Sequence, residues 1–233
     1  MQNGEKLDAL QKTLGVSFGD TGVLLSAVTH RSFLNENRAA TQPHNERLEF
    51  LGDAVLELAV TDFLFAEYPE RQEGELTAIR AALVNTNTLS EIATSLNLGD
   101  FLLLSKGEAK DMGRARQYIL ANTFEAVVGA IYLDKGYAHA RDMLARVLLP
   151  RTAEIVEKRL WQDPKSRFQE RAQEMTGITP LYRTLREHGP DHDRTFTVGV
   201  FLGESAVAEG EGRSKQEAEQ EAAEQALVAK GWA

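Results

Sequence analysis

The segment NERLEFLGDAVLELAV, residues 45–60, combines the apolar spacing of a buried helix with a set of acidic side chains. At about 100° per residue, Glu46, Glu49 and Asp53 fall within an arc of about 60° on one side of this helix. Like charges at these spacings repel each other and destabilise a helix. The segment therefore predicts that another part of the molecule, or a bound ion, offsets the acidic charge.

A second apolar helix carries a matching acidic residue. In the segment LANTFEAVVGAIYLD, residues 120–134, Glu125 is the only charged residue between Arg116 and Asp134. A lone buried carboxylate is costly unless it is paired or binds a metal ion. Asn122 lies three residues earlier, so its side chain can project from the same helix face as Glu125.

Packing of these two helices through their apolar faces would bring four polar side chains into one site: Glu49, Asp53, Asn122 and Glu125. Oxygen donors without His or Cys favour Mg²⁺ or Mn²⁺ over zinc. For any one of these carboxylates the alternative is an ordinary solvent-exposed position, which is what we expect for Glu57, one turn beyond Asp53. The alternative for Asn122 is an N-cap at the start of a helix over TFEAVVGA.

Length and composition narrow the class of protein. The 233 residues, 42% hydrophobic and 26% charged, suffice for one large domain or two ordinary ones. No run reaches the roughly eighteen apolar residues of a membrane span, and the start MQNGEKLDAL lacks the basic head and apolar centre of a signal peptide. Cysteine is absent, which excludes disulfides and thiolate metal sites. We expect a cytoplasmic protein with no membrane partner.

The hydrophobic period changes near residue 163 and predicts two domains. Before this point apolar residues recur at three-four spacing, which indicates an all-α domain over residues 1–155 followed by a linker over 156–162. Beyond it, Asp163 as N-cap and Gly177 as C-cap enclose one helix. The segments PLYRTLREHG, RTFTVGVFLG and SAVAEGEG predict three strands, and a Ser214–Glu217 capping box starts a last helix. The second domain, residues 163–233, is therefore predicted to be α+β in the order α-β-β-β-α.

Three segments carry a resemblance to a known family. HNERLEFLGDAVLELAV closely resembles the signature of the ribonuclease III endonuclease domain, and ILANTFEAVVGAIYLD resembles that family's second acidic motif. The α-β-β-β-α segment with GRSKQEAEQEAAEQAL is similar to a double-stranded RNA-binding domain. The resemblance covers nearly the whole chain, in the domain order of simple bacterial ribonuclease III.

The resemblance implies an Mg²⁺-dependent endoribonuclease, with Mn²⁺ as a substitute, that hydrolyses double-stranded RNA as a homodimer. It implies products with 5′-phosphates and short 3′ overhangs, ribosomal and other RNA precursors as substrates, and no small-molecule substrate. By this similarity Glu49, Asp53, Asn122 and Glu125 are the metal ligands. Asp53 and Glu125 are the residues most needed for catalysis, and Glu46 is a supporting acid. Phe50 matches a dimer contact of the family, with burial in the core as the alternative.

The resemblance also implies an RNA-binding surface on the second domain. Its residues are Ser166, Gln169, Glu170, Gln173, His192, Arg213, Ser214 and Lys215. Residues 163–233 hold nine basic and thirteen acidic side chains, and the whole chain has a net charge of −9. Local placement of charge, including the helix N-terminus at Lys215, must therefore drive RNA binding. Such domains recognise the shape and 2′-hydroxyls of duplex RNA more than its sequence.

Two positions depart from the family pattern. Asn122 stands where many relatives have Asp, which keeps a carbonyl oxygen for a metal but brings no charge. Gln216 stands where relatives often have Lys, which implies weaker and more salt-sensitive RNA binding. Because of Asn122, the alternative function is a noncatalytic, dimeric protein that binds double-stranded RNA.

Overall fold

A computed structural model of the chain describes residues 3–110, 113–190 and 194–232. The chain divides between Trp161 and Gln162 into two compact units, and each is described by itself. Among the helices of the described residues, none is both long and apolar enough to cross a membrane.

The described residues of the first unit are helical, apart from loops, two short 3₁₀ turns and one isolated bridge between Thr29 and Leu103. Its α-helices are α1 (Asn3–Leu14), α2 (Thr21–Ala27), α3 (Arg31–Glu36), α4 (Glu46–Glu67), α5 (Glu73–Leu83), α6 (Thr86–Ser95), α7 (Arg114–Lys135), α8 (Tyr137–Val147) and α9 (Arg151–Glu157). The all-α prediction for this part of the chain is confirmed.

Helices α4 and α7 contribute many of the side chains at the centre of the first unit. Leu56 and Val60 of α4 and Phe124 of α7 are inaccessible to solvent. Helix α7 runs without interruption through Asn122. The alternative that Asn122 caps a helix N-terminus is therefore wrong. The helix begins eight residues earlier, at Arg114, and buried apolar residues such as Ala121 belong to the part that precedes Asn122.

Residues 156–161 of the predicted linker belong to the first unit. Val156 and Trp161 pack against its apolar core, and the Arg71 guanidinium lies 5.9 Å from the centroid of the Trp161 ring. Burial of these apolar side chains offsets the conformational entropy that is lost when the segment becomes ordered, which a polar linker could not do. The exact domain limits stay a prediction.

The second unit consists of α10 (Pro164–Thr176), β1 (Leu181–His188), β2 (Thr195–Leu202), β3 (Ser205–Gly212) and α11 (Lys215–Lys230). The strands form an antiparallel sheet in the order β1-β2-β3. Val200 and Leu202 of β2 pack with Phe168 of α10 and Leu227 of α11, so both helices cover one face of the sheet. The predicted α-β-β-β-α order is confirmed, as is the Asp163 N-cap of α10.

Candidate active site and RNA-binding surface

Helices α4 and α7 cross at two glycines, where main chain touches main chain. A Cβ atom added to Gly52 would overlap the carbonyl oxygen of Glu125, and one added to Gly129 would overlap that of Leu48. Glycine inside a helix costs about 1 kcal/mol relative to alanine, so its presence in both helices indicates a packing requirement. Because the helices approach so closely, the acidic face of α4 lies next to Glu125 of α7.

Three of the predicted site residues interact electrostatically at this crossing. Burial, followed by the charges of Asp53 and Glu49, raises the pKa of the Glu125 carboxyl to about 7. Burial, followed by the charges of Glu46 and Asp53, also raises the pKa of Glu49. In the described part of the chain, the charged groups responsible for these two shifts are all carboxylates. The site thus concentrates negative charge, and among the described residues no basic side chain contributes to the pKa of Glu125 or Glu49.

Asn122 joins the same group, because its side-chain amide interacts with the Glu49 carboxyl and opposes the rise of the Glu49 pKa. The amide NH₂ group is the donor to a carboxylate, so the amide carbonyl oxygen of Asn122 is left as an acceptor. Glu46 lies at the exposed start of α4. Its carboxylate is 3.4 Å from Arg31 Nη1 and 3.8 Å from His44 Nδ1.

The donor chemistry of this site fits a divalent cation that prefers oxygen. Three carboxylates and one amide carbonyl, without Cys or His, match the ligands of Mg²⁺ and Mn²⁺. Within the described residues, no three His, Cys, Asp or Glu side chains form a ready-made metal-binding cluster. Glu49, Asp53 and Glu125 therefore influence one another through their charges without forming a preassembled coordination cage.

The predicted RNA-binding residues of α10 share one exposed surface. Ser166, Gln169, Glu170 and Gln173, together with Glu174, line a shallow groove along this helix. A 2.6 Å ion pair between Lys165 of α10 and Glu219 of α11 ties the two helices of the unit together. The groove therefore belongs to a helix whose position against α11 is fixed by a charged contact as well as by apolar packing.

The predicted residues at the start of α11 are exposed and ordered by a capping box. The Ser214 hydroxyl accepts the backbone N–H of Glu217 at 3.1 Å, and the Glu217 carboxylate accepts the backbone N–H of Arg213 at 2.9 Å. Lys215 is the first residue of the helix. The hairpin position His192 lies outside the described residues.

Two features of these sites were missed in the sequence prediction. The glycines at the α4–α7 crossing had an available signal, since each interrupts an apolar helical run beside an acidic residue. Glu187 of β1, whose carboxylate is 3.2 Å from Lys215 Nζ, had none. The two residues are distant in sequence and meet because β1 pairs with β2 while the start of α11 contacts Phe196 of β2.

Helix α4 also presents an apolar stripe to solvent. The Phe50 side chain is 82% exposed, so the alternative that it belongs to the core of this chain is wrong. Leu58 and Phe65 are exposed as well, and their spacing from Phe50 puts all three within an arc of about 80°. The stripe lies beside the acidic face, because Phe50 and Glu46 are four residues apart in α4 and therefore only about 40° apart around the helix.

The chain matches two family models. A ribonuclease-III-like model matches residues 20–152, and a double-stranded RNA-binding motif matches residues 164–228. The candidate acidic site lies in the first match, and the α10–α11 surface lies in the second. Together the two models cover most of both structural units.

Individual relatives agree with these matches. Ribonuclease 3 from Pelotomaculum thermopropionicum is 46% identical over 96% of this chain and 93% of its own length. Ribonuclease 3 from Syntrophobacter fumaroxidans is 45% identical over 97% of this chain and 96% of its own length.

A solved nuclease domain of ribonuclease III from Campylobacter jejuni superposes with a TM-score of 0.55 at 42% identity, covering 60% of this chain and 94% of that structure. Metal dependence is a general property of the family. The chain therefore belongs to the ribonuclease III family and is an endoribonuclease that acts on double-stranded RNA.

Proposed function

We propose that this enzyme hydrolyses duplex RNA with Mg²⁺ held by Glu49, Asp53, Asn122 and Glu125. The observation that carries the proposal is the α4–α7 contact at Gly52 and Gly129, which brings Glu125 close enough to Asp53 and Glu49 for their charges to help raise its pKa to about 7. An acidic group of this kind is stable only with a proton or a cation as partner. Mn²⁺ has the same preference for oxygen ligands and is expected to substitute.

The residues of the chain have separate roles in this proposal. Asp53 and Glu125 supply the carboxylates most needed for catalysis, and Glu49 adds a third oxygen ligand. Asn122 offers its carbonyl oxygen while its NH₂ group orients Glu49. When bound, a divalent cation lowers the pKa of a coordinated water and offsets charge that develops on the phosphate. Glu46, held near Arg31, supports the substrate side of the site.

The exposed stripe of Phe50, Leu58 and Phe65 supports a homodimer. Three large apolar side chains exposed along one side of a helix are typical of an interaction site. The Campylobacter jejuni nuclease domain is described as having a region involved in dimer formation, so a second copy of this chain is the proposed occupant. Two such subunits would bring two acidic sites to one duplex, each cutting one strand.

The proposed products carry 5′-phosphates and short 3′ overhangs, and the proposed substrates are precursors of ribosomal and other RNAs. The cytoplasmic location stays a prediction. RNA binding is assigned to Ser166, Gln169, Glu170 and Gln173 on α10, with Arg213, Ser214 and Lys215 at the start of α11. The support for this assignment is the exposed α10 groove and the helix N-terminus, which directs backbone N–H groups toward phosphates.

The direct test is cleavage of end-labelled duplex RNA in Mg²⁺ by Glu125→Gln. We expect cleavage to fall by more than the roughly 100-fold that follows loss of a supporting group, because a metal ligand is lost while the shape of the side chain is kept. Duplex binding should persist. Glu57→Gln, which neutralises an exposed carboxylate of the same helix α4, is the matched control and should cut normally. Normal cleavage by Glu125→Gln would remove Glu125 from the proposed site.

A second test concerns the division of labour between the units. A protein that ends at Gln162 should still cut duplex RNA at low salt and should lose activity steeply as salt rises, because many phosphate contacts are gone. The measurement is the cleavage rate across a KCl series, beside that of the full chain. Equal salt dependence of the two proteins would contradict the assignment of RNA binding to the second unit.

A further inference from the structure

The proposed RNA-binding lysine at the start of α11 already has an acidic partner within its own unit. Lys215 Nζ is 3.2 Å from Glu187 Oε1 and lies 5.5 Å from the centroid of the Phe196 ring. The ring face and the carboxylate therefore both contact the charged end of this lysine, at the edge of the sheet. A phosphate that approaches Lys215 therefore meets a cation whose charge is partly neutralised.

The same carboxylate engages a second cation. Glu187 Oε2 is 3.7 Å from Arg194 Nη1, so one side chain faces two basic groups that come from different elements. Glu187 pairs with Phe196 in the β1–β2 register. Residues alternate along β2, so Phe196 lies on the same sheet face as the buried Val198 and Val200, the face that packs on the helices. Glu187 thus lies at the helix-covered face, beside the start of α11.

We propose that Glu187 acts as an internal competitor of the RNA phosphates for Lys215 and Arg194. The inference rests on the proposed role of Lys215 in RNA binding and deepens it. In the free protein the carboxylate occupies the position next to the lysine that a phosphate oxygen needs. A phosphate that reaches either cation must displace this carboxylate or lie beside a second negative charge, so the gain in binding from each of these cations is smaller than it would be without Glu187.

Competition by Glu187 should lower the affinity of the protein for duplex RNA and make that affinity less dependent on salt concentration. A basic side chain that is already paired releases fewer condensed counterions when it reaches a phosphate. Low intrinsic affinity discriminates against any polyanion that contacts only this corner. A duplex of A-form shape, which also reaches the α10 groove, gains enough further contacts to displace the carboxylate. Glu187 is therefore a specificity-determining residue, because it weakens the binding of any polyanion that contacts only Lys215 and its surroundings.

The experiment compares full-length variants by fluorescence anisotropy with a labelled RNA duplex, in chelator so that the duplex stays intact. Glu187→Gln should bind about two- to tenfold tighter, since each exposed ion pair shifts an equilibrium by up to about fivefold. The slope of log affinity against log[KCl] should steepen by up to about 1, for Lys215 released from its carboxylate partner. Thermal unfolding of each variant verifies that it is folded.

The matched control is Glu209→Gln. This carboxylate also pairs with an arginine of β1, at 3.3 Å from Arg186 Nη2. Its strand position faces Gly199, which alternation puts on the sheet side opposite the helices. The control removes the same charge from the same unit, and it should leave the affinity and the salt slope unchanged. Equal gains in both variants would mean that net charge alone is responsible, and would overturn the inference.

Lys215→Gln, alone and combined with Glu187→Gln, distinguishes the possible failures. We expect Lys215→Gln to weaken binding and most of the gain from Glu187→Gln to disappear in the double variant. If Lys215→Gln weakens binding but Glu187→Gln leaves it unchanged or weakens it, competition by Glu187 is refuted and the RNA-binding surface stands. If Lys215→Gln has no effect, the proposed role of Lys215 in RNA binding is refuted, and competition by Glu187 falls with it.

Discussion

Removal of the Glu125 charge should stabilise the metal-free protein, although it removes a residue proposed as essential for catalysis. In Glu125→Gln the amide keeps the size of the carboxyl and cannot ionise. The folded protein holds the pKa of Glu125 at about 7 instead of 4.5, through burial and the charges of Asp53 and Glu49. At neutral pH without metal, ionisation of this group therefore opposes folding.

The magnitude follows from linkage between protonation and folding. At 1.36 kcal/mol per pK unit the penalty at pH 8 is about 3 kcal/mol, and solvent screening of a half-buried group reduces it to about 1–2 kcal/mol. Because the folded pKa is raised, stability is lost as pH rises from about 4.5 to about 7. The gain from Glu125→Gln should thus be about 1–2 kcal/mol at pH 8 and below about 0.5 kcal/mol at pH 5.

The assay is thermal unfolding in chelator at both pH values, at one protein concentration. A Trp232→Phe background leaves Trp161, which packs in the first unit, as the only tryptophan, so its fluorescence reports that unit. The expected rise in Tm at pH 8 is about 2–8 °C. Glu57→Gln should move Tm by less than about 2 °C. A gain of equal size at pH 5 and pH 8, or no gain at pH 8, would refute an ionised, uncompensated Glu125.

Three further substitutions test other parts of the molecule. Gly52→Ala forces a Cβ atom into the Glu125 carbonyl, so it should lower the free energy of unfolding by at least about 2 kcal/mol and abolish cleavage, as measured by unfolding and cleavage assays. Its control, Gly74→Ala, adds a Cβ in open space within α5 and should stabilise the protein by up to about 1 kcal/mol. Asn122→Asp adds a carboxylate to the acidic site, so the Mg²⁺ concentration for half-maximal cleavage should fall and Tm in chelator should fall with it; an unchanged Mg²⁺ midpoint would remove Asn122 from the ligands. Phe50→Asp puts a charge into the apolar stripe of α4 and should shift sedimentation from dimer to monomer, whereas Val228→Asp, at an exposed apolar position of the second unit, should remain dimeric.

Features that depend on neighbours in sequence were predictable. The acidic arc of α4 follows from the helical repeat alone, and the Ser214–Glu217 capping box follows from residue types at a fixed spacing. The three strands of the second unit were predictable for the same reason, since alternation along a strand is a local pattern.

Features that depend on the rest of the fold were not predictable. Asn122 is compatible with an N-cap and with a helix interior, and only the packing of both halves of α7 decides between them. Phe50 is an apolar residue in an apolar helix, so its exposure depends on which faces of α4 other helices cover. The contact between Glu187 and Lys215 requires the register of β1 against β2, including a bulge between Thr184 and Arg186.

The glycine contact between α4 and α7 separates the scaffold of the acidic site from its chemistry. Since the backbones themselves touch at Gly52 and Gly129, no side chain can be trimmed or enlarged to change the spacing of the helices in small steps. Exchange of Asn for Asp at position 122 would alter the charge of the site without touching this backbone contact. A change in metal preference would therefore require a change of the ligand side chains, because the backbone positions that hold them are fixed by the glycine contact.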